Sequence, residues 1–179
     1  MMVVGALALL LLTVAIVVLY AMMGELATRI REPDGDNASH VTPLADFTRG
    51  AAPTNYPTGL ASLANRERMA LVVLSPICTT CDKVAAELAS YEPDEMGLPF
   101  GVVVSTGTRE TGEEFVEHHA LDRFPYVVDE GATWITGTLG VKMSPSALVF
   151  ENGVLTEAFT FTNVQAILGR IVKVTQGVS

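Results

Sequence analysis

The stretch of sequence that decides the fold reads VVLSPICTTCDKV (72–84). It begins inside the apolar run MALVVL (69–74), whose continuous, largely β-branched character is typical of a buried strand. It ends inside DKVAAELASY (82–91), where apolar residues recur at helical spacing. Between the two segments stand Cys78 and Cys81, the two cysteines of the 179-residue chain. The sequence therefore predicts a CxxC pair at the point where a strand passes into a helix.

The spacing of the two cysteines favours redox exchange. Residues i and i+3 at the start of a helix bring their Cα atoms within disulfide range, about 5.5 Å. Closing so short a loop removes little chain entropy, so the bond would contribute little to stability. The helix N-terminus favours a thiolate at Cys78, which would act as the nucleophile, and Cys81 would resolve the mixed disulfide.

Two other interpretations of the cysteine pair stay open at this point. A zinc or copper site would need more ligands than the pair provides, and only His40, His118 and His119 could supply imidazole nitrogens. An inert pair of buried thiols is the second alternative. A CxxC motif between a strand and a helix is nevertheless a fairly specific signal for thiol–disulfide chemistry.

The elements that follow the cysteines complete an α/β domain. The pattern predicts strands at 100–105, 125–129, 146–150 and 154–161, and helices at about 110–120 and 163–174. Asn152-Gly153 between the last two strands is a strong hairpin signal, and Asn163 is a suitable N-cap for the last helix. This order of elements predicts a mixed central sheet with helices on both faces.

A proline precedes the predicted strand at 146–150. Pro145 would be awkward there unless its peptide bond were cis or the strand edge were exposed. We expect a cis Ser144–Pro145 bond, which would let the backbone of Met143 and Ser144 pair with an extended polypeptide laid across the dithiol. An ordinary proline at the entrance to a strand is the alternative.

At these residues the sequence resembles a known family. The CxxC segment and the later proline–strand–hairpin–helix order resemble the thioredoxin fold. More narrowly, VVLSPICTTCDKV (72–84) is similar to the LSPxCxxC motif of membrane-anchored thioredoxin-like proteins related to TlpA and MauD. The resemblance implies a thiol–disulfide oxidoreductase that works through Cys78, Cys81 and Pro145, with no cofactor and with its catalytic domain outside the cytoplasmic membrane.

The sequence also departs from the broader thioredoxin pattern. Val72 occupies the position at which many thioredoxins carry a buried carboxylate, and Ile77 replaces the usual tryptophan before the first cysteine. Thr79 and Thr80 stand between the cysteines. These departures motivate a second hypothesis, in which the domain is an accessory or assembly subunit of a membrane complex and its cysteines stay oxidised.

The N-terminal residues differ in composition from the rest. Residues 1–24 carry no charged side chain, and 21 of those 24 are hydrophobic. The segment 3–23 is long enough to cross the roughly 30 Å core of a bilayer, and it lacks the basic flank and cleavage site of a signal peptide. The sequence therefore predicts a transmembrane anchor at 1–24, a juxtamembrane linker at 25–57 and a thioredoxin-like domain at 58–179.

The charge of the chain restricts its partners. The net charge is −9, and residues 32–179 contain 19 acidic and 9 basic side chains, which excludes a nucleic-acid-binding surface built on lysine and arginine. Arg29 and Arg31 favour a cytoplasmic domain by the positive-inside rule, whereas the family resemblance implies export. We expect a single-pass protein of the cytoplasmic membrane whose domain lies on the extracytoplasmic side. Its expected partners are thiols and disulfides of exported proteins, and a membrane redox partner or membrane complex.

Five further residues have expected positions. His118 and His119 should end a helix and interact with its C-terminal dipole. Trp134, the only tryptophan, should lie in the core or in a surface loop rather than beside the dithiol. Asp82 and Glu87 are near the cysteines in sequence but should face solvent.

Overall fold

The computed structural model describes residues 41–176, with side chains through Ile171. The elements in this range are β1 (Thr42–Pro43), β2 (Arg68–Leu74), α1 (Thr79–Leu88), β3 (Phe100–Thr106), α2 (Arg109–His118), β4 (Tyr126–Glu130), α3 (Thr133–Leu139), β5 (Ser146–Glu151), β6 (Val154–Thr160) and α4 (Val164–Gln176). The predicted anchor at 1–24, and the predicted linker up to residue 40, lie outside the described residues. Between residues 41 and 176, no helix combines the length and apolarity needed to span a bilayer.

The six strands form one mixed sheet in the order β1-β6-β5-β2-β3-β4. Strands β2, β3 and β4 are parallel neighbours, and they are joined by α1 and α2 because parallel strands need a crossover connection. Strands β5 and β6 form an antiparallel hairpin, and β5 is antiparallel to β2. The predicted α/β architecture with a mixed sheet is confirmed.

Helices cover both faces of the sheet. On one face, residues of α1, α2 and α4 pack on alternate residues of the central strands, including Val72 of β2 and Val102 of β3. On the other face, α3 and a 3₁₀ turn at Thr58–Leu63 pack on the opposite set, including Leu71 and Val103. Because side chains alternate across a strand, continuous apolar runs are what a sheet buried on both faces requires.

The hairpin and the last helix begin as predicted. Asn152 and Gly153 have φ angles of 51° and 77°, the paired left-handed conformations of a type I′ turn. The Asn163 side-chain oxygen accepts a hydrogen bond from the Ala166 backbone N–H at 2.9 Å, which caps the N-terminus of α4.

The predicted linker reaches into the folded unit. Strand β1 pairs with β6, and the Leu44 backbone N–H donates to the Ala158 carbonyl at 2.9 Å. Further on, the Leu155 backbone N–H donates to the Ala51 carbonyl at 2.8 Å. The folded unit therefore includes residues before the predicted boundary at 57. These pairings join residues about 100 positions apart, which the local composition of a proline-rich segment does not reveal.

Candidate active site

The two segments singled out from the sequence meet at one edge of the sheet. The carboxyl end of β2 and the amino end of β5 lie together because the strands are antiparallel, with Val73 opposite Ser146. The CxxC segment follows the first strand and Pro145 precedes the second. The fold thus brings together two segments that are more than 60 residues apart in the chain.

Cys78 is the N-cap of α1, and its sulfur organises the first turn. The Cys81 backbone N–H donates to the Cys78 sulfur at 3.2 Å, and the Asp82 backbone N–H donates to the Cys78 carbonyl at 3.1 Å. A sulfur in this position replaces the oxygen of a usual N-cap side chain, and it lies where the helix dipole favours negative charge. Cys78 is partly buried, Cys81 is fully buried, and both are free thiols.

The environments of the two thiols differ in a way that suits different roles. Burial, and then the hydrogen bond with Cys78, raise the pKa of Cys81 to about 12, although interactions with Ser144 and Ser75 act in the opposite direction. Cys81 therefore keeps its proton at neutral pH. Cys78 is the more accessible of the two thiols.

We expect Cys81 of the reduced protein to resist alkylation. The rise in its pKa from 9.0 to about 12 lowers its thiolate fraction at pH 8 by about 1,000-fold. In the full-length protein with Cys78 replaced by Ser, iodoacetamide should modify Cys81 at least about 100-fold more slowly than an unstructured cysteine. Denaturing the same variant provides the control and should restore the ordinary rate. Equal rates in the folded and denatured protein would contradict the pKa shift.

The segment before β5 lies against Cys78. The Ser144–Pro145 peptide bond is cis, as the sequence predicts. The Cys78 thiol donates to the Ser144 carbonyl oxygen at 3.6 Å. Met143 is exposed, whereas Pro145 is buried. The structure therefore brings Cys78, Ser144 and Met143 to the same surface, with Pro145 beneath it.

A groove begins at the dithiol and runs over the ends of the parallel strands. Its first part has a volume of about 360 Å³, and the adjoining part has a volume of about 270 Å³. Its lining residues include Ser75, Ile77, Cys78, Ala132, Ile135 and Met143. Ile77 is 95% exposed and Met143 is 56% exposed, although both are large and apolar. Both side chains line the same groove as Cys78, and large apolar side chains that are exposed together are typical of a surface that binds another molecule.

The wall of this groove depends on a residue that the sequence analysis did not single out. Asp129 is 5% exposed, and its carboxylate accepts hydrogen bonds from the backbone N–H groups of Trp134 at 3.0 Å and Ile135 at 2.8 Å. It therefore caps α3 from the end of β4. The sequence signal, an aspartate at a strand end just before Gly131, was present but resembled an ordinary turn.

Helix α3 itself was not predicted. The segment that contains it is rich in glycine and threonine, so it resembles a loop. Trp134 lies on this helix, half-buried, with its indole N–H donating to the Asn55 carbonyl at 3.1 Å and its ring 6.1 Å from that of Tyr56. Trp134 packs against the N-terminal segment rather than lining the groove beside the dithiol.

The histidine pair ends α2 as predicted, with His118 as the last helical residue and His119 as the C-cap, but His119 makes a further contact. His119 is 7% exposed, and its Nε2 lies 3.0 Å from Oδ1 of Asp82. The expected dipole interaction does not account for this contact, which joins the end of α2 to the start of α1. Asp82 and Glu87 are exposed as predicted, but Glu87 also accepts a hydrogen bond from the Val164 backbone N–H at 2.8 Å.

The described part of the chain contains no cluster of ligands that would support a zinc or copper site. Among residues 41–176, no group of three or more histidine, cysteine, aspartate or glutamate side chains is arranged to hold a metal ion. Val72, where many thioredoxins have a buried carboxylate, is fully buried in the apolar layer beneath α1. The dithiol therefore lies over apolar side chains at this position.

The sheet order, the CxxC turn at the start of α1 and the cis-proline before β5 together define the thioredoxin fold. Solved structures of other proteins share this fold. The chain is similar to a proposed thioredoxin from Neisseria meningitidis, with a TM-score of 0.56, 13% identity, and coverage of 74% of this chain and 93% of that one. It is also similar to a DsbF homologue from Corynebacterium diphtheriae, with a TM-score of 0.50, 15% identity, and coverage of 82% and 98%.

A third similar structure is the thioredoxin domain of a thiol–disulfide oxidoreductase from Bacteroides vulgatus. Its TM-score is 0.50 and its identity is 11%, over 63% of this chain and 82% of that one. No protein-family model and no curated protein sequence matches the chain. At identities this low the similarities establish the fold alone: residues 41–176 form a thioredoxin-like domain.

Proposed function

We propose that the protein is a thiol–disulfide oxidoreductase that acts through Cys78 and Cys81. The observation that carries the proposal is the asymmetry of the pair at the start of α1. Cys78 caps the helix and borders an open groove, whereas Cys81 is buried with its pKa raised to about 12. An accessible nucleophile backed by a buried, protonated thiol is what a two-step exchange requires.

In the reductive direction, the Cys78 thiolate attacks one sulfur of a substrate disulfide. The substrate S–S bond breaks, a mixed disulfide with Cys78 forms, and the released substrate thiolate takes a proton. Cys81 then loses its proton and attacks the Cys78 sulfur, which releases the second substrate thiol and leaves a Cys78–Cys81 disulfide. The substrate has gained two electrons and the dithiol has lost two, and the reverse sequence oxidises a substrate.

The groove and the Ser144 carbonyl would hold the substrate during these steps. An extended chain lying across the dithiol would contact the exposed side chains of Ile77 and Met143. The Ser144 carbonyl, 3.6 Å from the Cys78 sulfur, is placed to accept a backbone N–H of such a chain. In this proposal Met143, Ser144 and Pro145 form the substrate-binding segment.

The similar structures support exchange chemistry. The Bacteroides vulgatus protein is described as a thiol–disulfide oxidoreductase, and the Corynebacterium diphtheriae protein as a DsbF homologue. The extended proposal adds an N-terminal membrane anchor at residues 3–23 and places the domain on the extracytoplasmic side of the cytoplasmic membrane. Exported proteins would then be the substrates, and a membrane redox partner would reset the dithiol.

The location of the domain can be tested by labelling. In intact spheroplasts, a membrane-impermeant maleimide should react with Cys78 of the full chain, and the reacted protein should fractionate with membranes. The matched control is Cys78→Ser, which should lose the label. Labelling only after lysis would place the domain in the cytoplasm and would overturn the extracytoplasmic proposal. Exchange itself is tested separately, by covalent capture of partners.

A further inference from the structure

His119 is one of three buried polar residues in the described part of the chain, together with Asp129 and Ser146. Its ring lies between two aromatic neighbours, with its centroid 4.7 Å from those of Phe115 and His118. A buried imidazole needs a hydrogen-bond partner, because losing hydration without one is costly. The partner is the Asp82 carboxylate, 3.0 Å from Nε2.

The direction of this hydrogen bond follows from the chemistry of the two groups. A carboxylate accepts hydrogen bonds and has none to donate, so Nε2 of His119 carries the hydrogen. The Asp82 side chain is 62% exposed, whereas that of His119 is 6% exposed. The buried ring therefore provides a fixed hydrogen-bond donor for a carboxylate that is mostly exposed.

Asp82 is close to both cysteines along the helix. It follows Cys81 directly and lies in the first turn of α1, the helix that Cys78 caps. Its backbone N–H donates to the Cys78 carbonyl at 3.1 Å, closing the turn that contains the dithiol. The carboxylate therefore belongs to the same helical turn as the two cysteines.

The exchange proposed above uses a thiolate at Cys78, whereas the disulfide form carries no charge. A negative charge in the same helical turn opposes that thiolate, so the charge of Asp82 favours the disulfide. The hydrogen bond from His119 holds the Asp82 carboxylate at the end of α2 and partly compensates its negative charge. Losing the donor would leave the carboxylate free and uncompensated.

We propose that His119 is a positioning residue for the dithiol and acts through Asp82. It holds the Asp82 carboxylate at the end of α2, partly compensates its charge, and thereby stabilises the reduced form of Cys78 and Cys81. This inference rests on the proposed exchange function, because it concerns the redox equilibrium of the same pair.

The test is the equilibrium of the purified full chain with glutathione. One Cys78–Cys81 disulfide and two glutathione molecules give one dithiol and one glutathione disulfide, and the equilibrium constant K for this reduction is measured. Asp82→Asn removes the charge and should raise K by about threefold to tenfold. His119→Phe keeps an aromatic ring among its neighbours but removes the donor, and it should lower K by about twofold to fivefold. His119→Gln retains an N–H donor and should restore K toward the original value.

The double variant decides whether His119 acts through Asp82. In an Asp82→Asn background, His119→Phe should leave K unchanged, because no charge remains to be positioned. A shift of K as large as in the original background would overturn the proposal. His119→Met offers a second donor-free replacement if the phenylalanine variant does not fold.

A stability control separates positioning from simple support of the fold. Asn163→Ala removes the cap of α4 and should shift urea unfolding to lower concentration without changing K. If His119→Phe behaves like this control, the residue is only structural and the inference is wrong. Failure of the exchange function has a different signature: the Cys81→Ala chain would then capture no partners, whatever the value of K.

Discussion

Replacing Cys81 with alanine should convert a transient exchange intermediate into a stable covalent adduct. In the proposed mechanism, Cys81 attacks the mixed disulfide from within the same helical turn; its backbone N–H lies 3.2 Å from the Cys78 sulfur. A preorganised intramolecular thiol acts at an effective concentration far above that of thiols in solution. Without it, the lifetime of the mixed disulfide should increase by about 1,000-fold or more.

The measurement is the accumulation of reducible adducts of the Cys81→Ala chain in membranes, separated under non-reducing conditions. The matched control, Cys78→Ser/Cys81→Ala, lacks the nucleophile and should form none. Adducts of equal abundance in both variants would show that Cys78 is not the attacking group. If the Cys81→Ala chain captures nothing, the exchange mechanism is wrong.

The same variants distinguish the enzyme from an accessory subunit. A Cys78→Ser/Cys81→Ser chain that loses function while it remains bound to its membrane partners would argue against a purely structural role. Full function without either sulfur would favour the accessory hypothesis. The exposed Ile77 is compatible with both, since an apolar side chain can contact a transient substrate or a permanent partner.

Asp129→Ala should destabilise the domain by about 3–4 kcal/mol. The buried carboxylate accepts two backbone N–H bonds, from Trp134 and Ile135, and a third hydrogen bond from the Thr133 hydroxyl at 3.3 Å. Alanine removes the charge-assisted cap and leaves N–H donors at the start of α3 without their acceptor. Because Ala132 and Ile135 line the groove, its shape should change as well.

Urea unfolding of the full chain, followed by the fluorescence of Trp134, measures this effect, because the only tryptophan lies on the affected helix. Asp129→Asn should show a smaller loss, since it keeps one oxygen acceptor but places an amide donor against a backbone N–H. The matched control is Asp94→Ala at an exposed position, which should change the free energy of unfolding by less than about 0.5 kcal/mol. A loss below about 1 kcal/mol for Asp129→Ala would contradict the capping role.

Much of the fold could be predicted because its signals are local. The strand at 69–74, the helix after the cysteines and the Asn152-Gly153 hairpin each have a pattern contained within a few residues. Helix α3 was missed because its start depends on Asp129, which belongs to the preceding strand, and because its own residues are weak helix formers. The hydrogen bonds from a residue outside the helix therefore stabilise α3 although its own residues have low helix propensity.

The candidate site was only half predictable for a related reason. The sequence identified the two cysteines, and the proline pattern led to the expectation of the cis bond at Pro145. The His119–Asp82 contact joins residues 37 positions apart, and each residue alone resembles an ordinary polar residue near a helix end. Nothing in the local sequence predicts that one of them is buried and the other exposed.

The sequence by itself determined that a CxxC pair lies where a strand passes into a helix, and it predicted most of the strands and helices, because these depend on residue type and short-range periodicity. Only the tertiary structure decided which thiol is accessible, what lies above it and which charges surround it. Burial raises the pKa of Cys81 and leaves Cys78 beside the groove, and burial is a property of the packed sheet and helices. The two cysteines are the same residue type in the sequence, and their different environments in the fold are the reason for proposing one as the nucleophile and the other as its resolving partner.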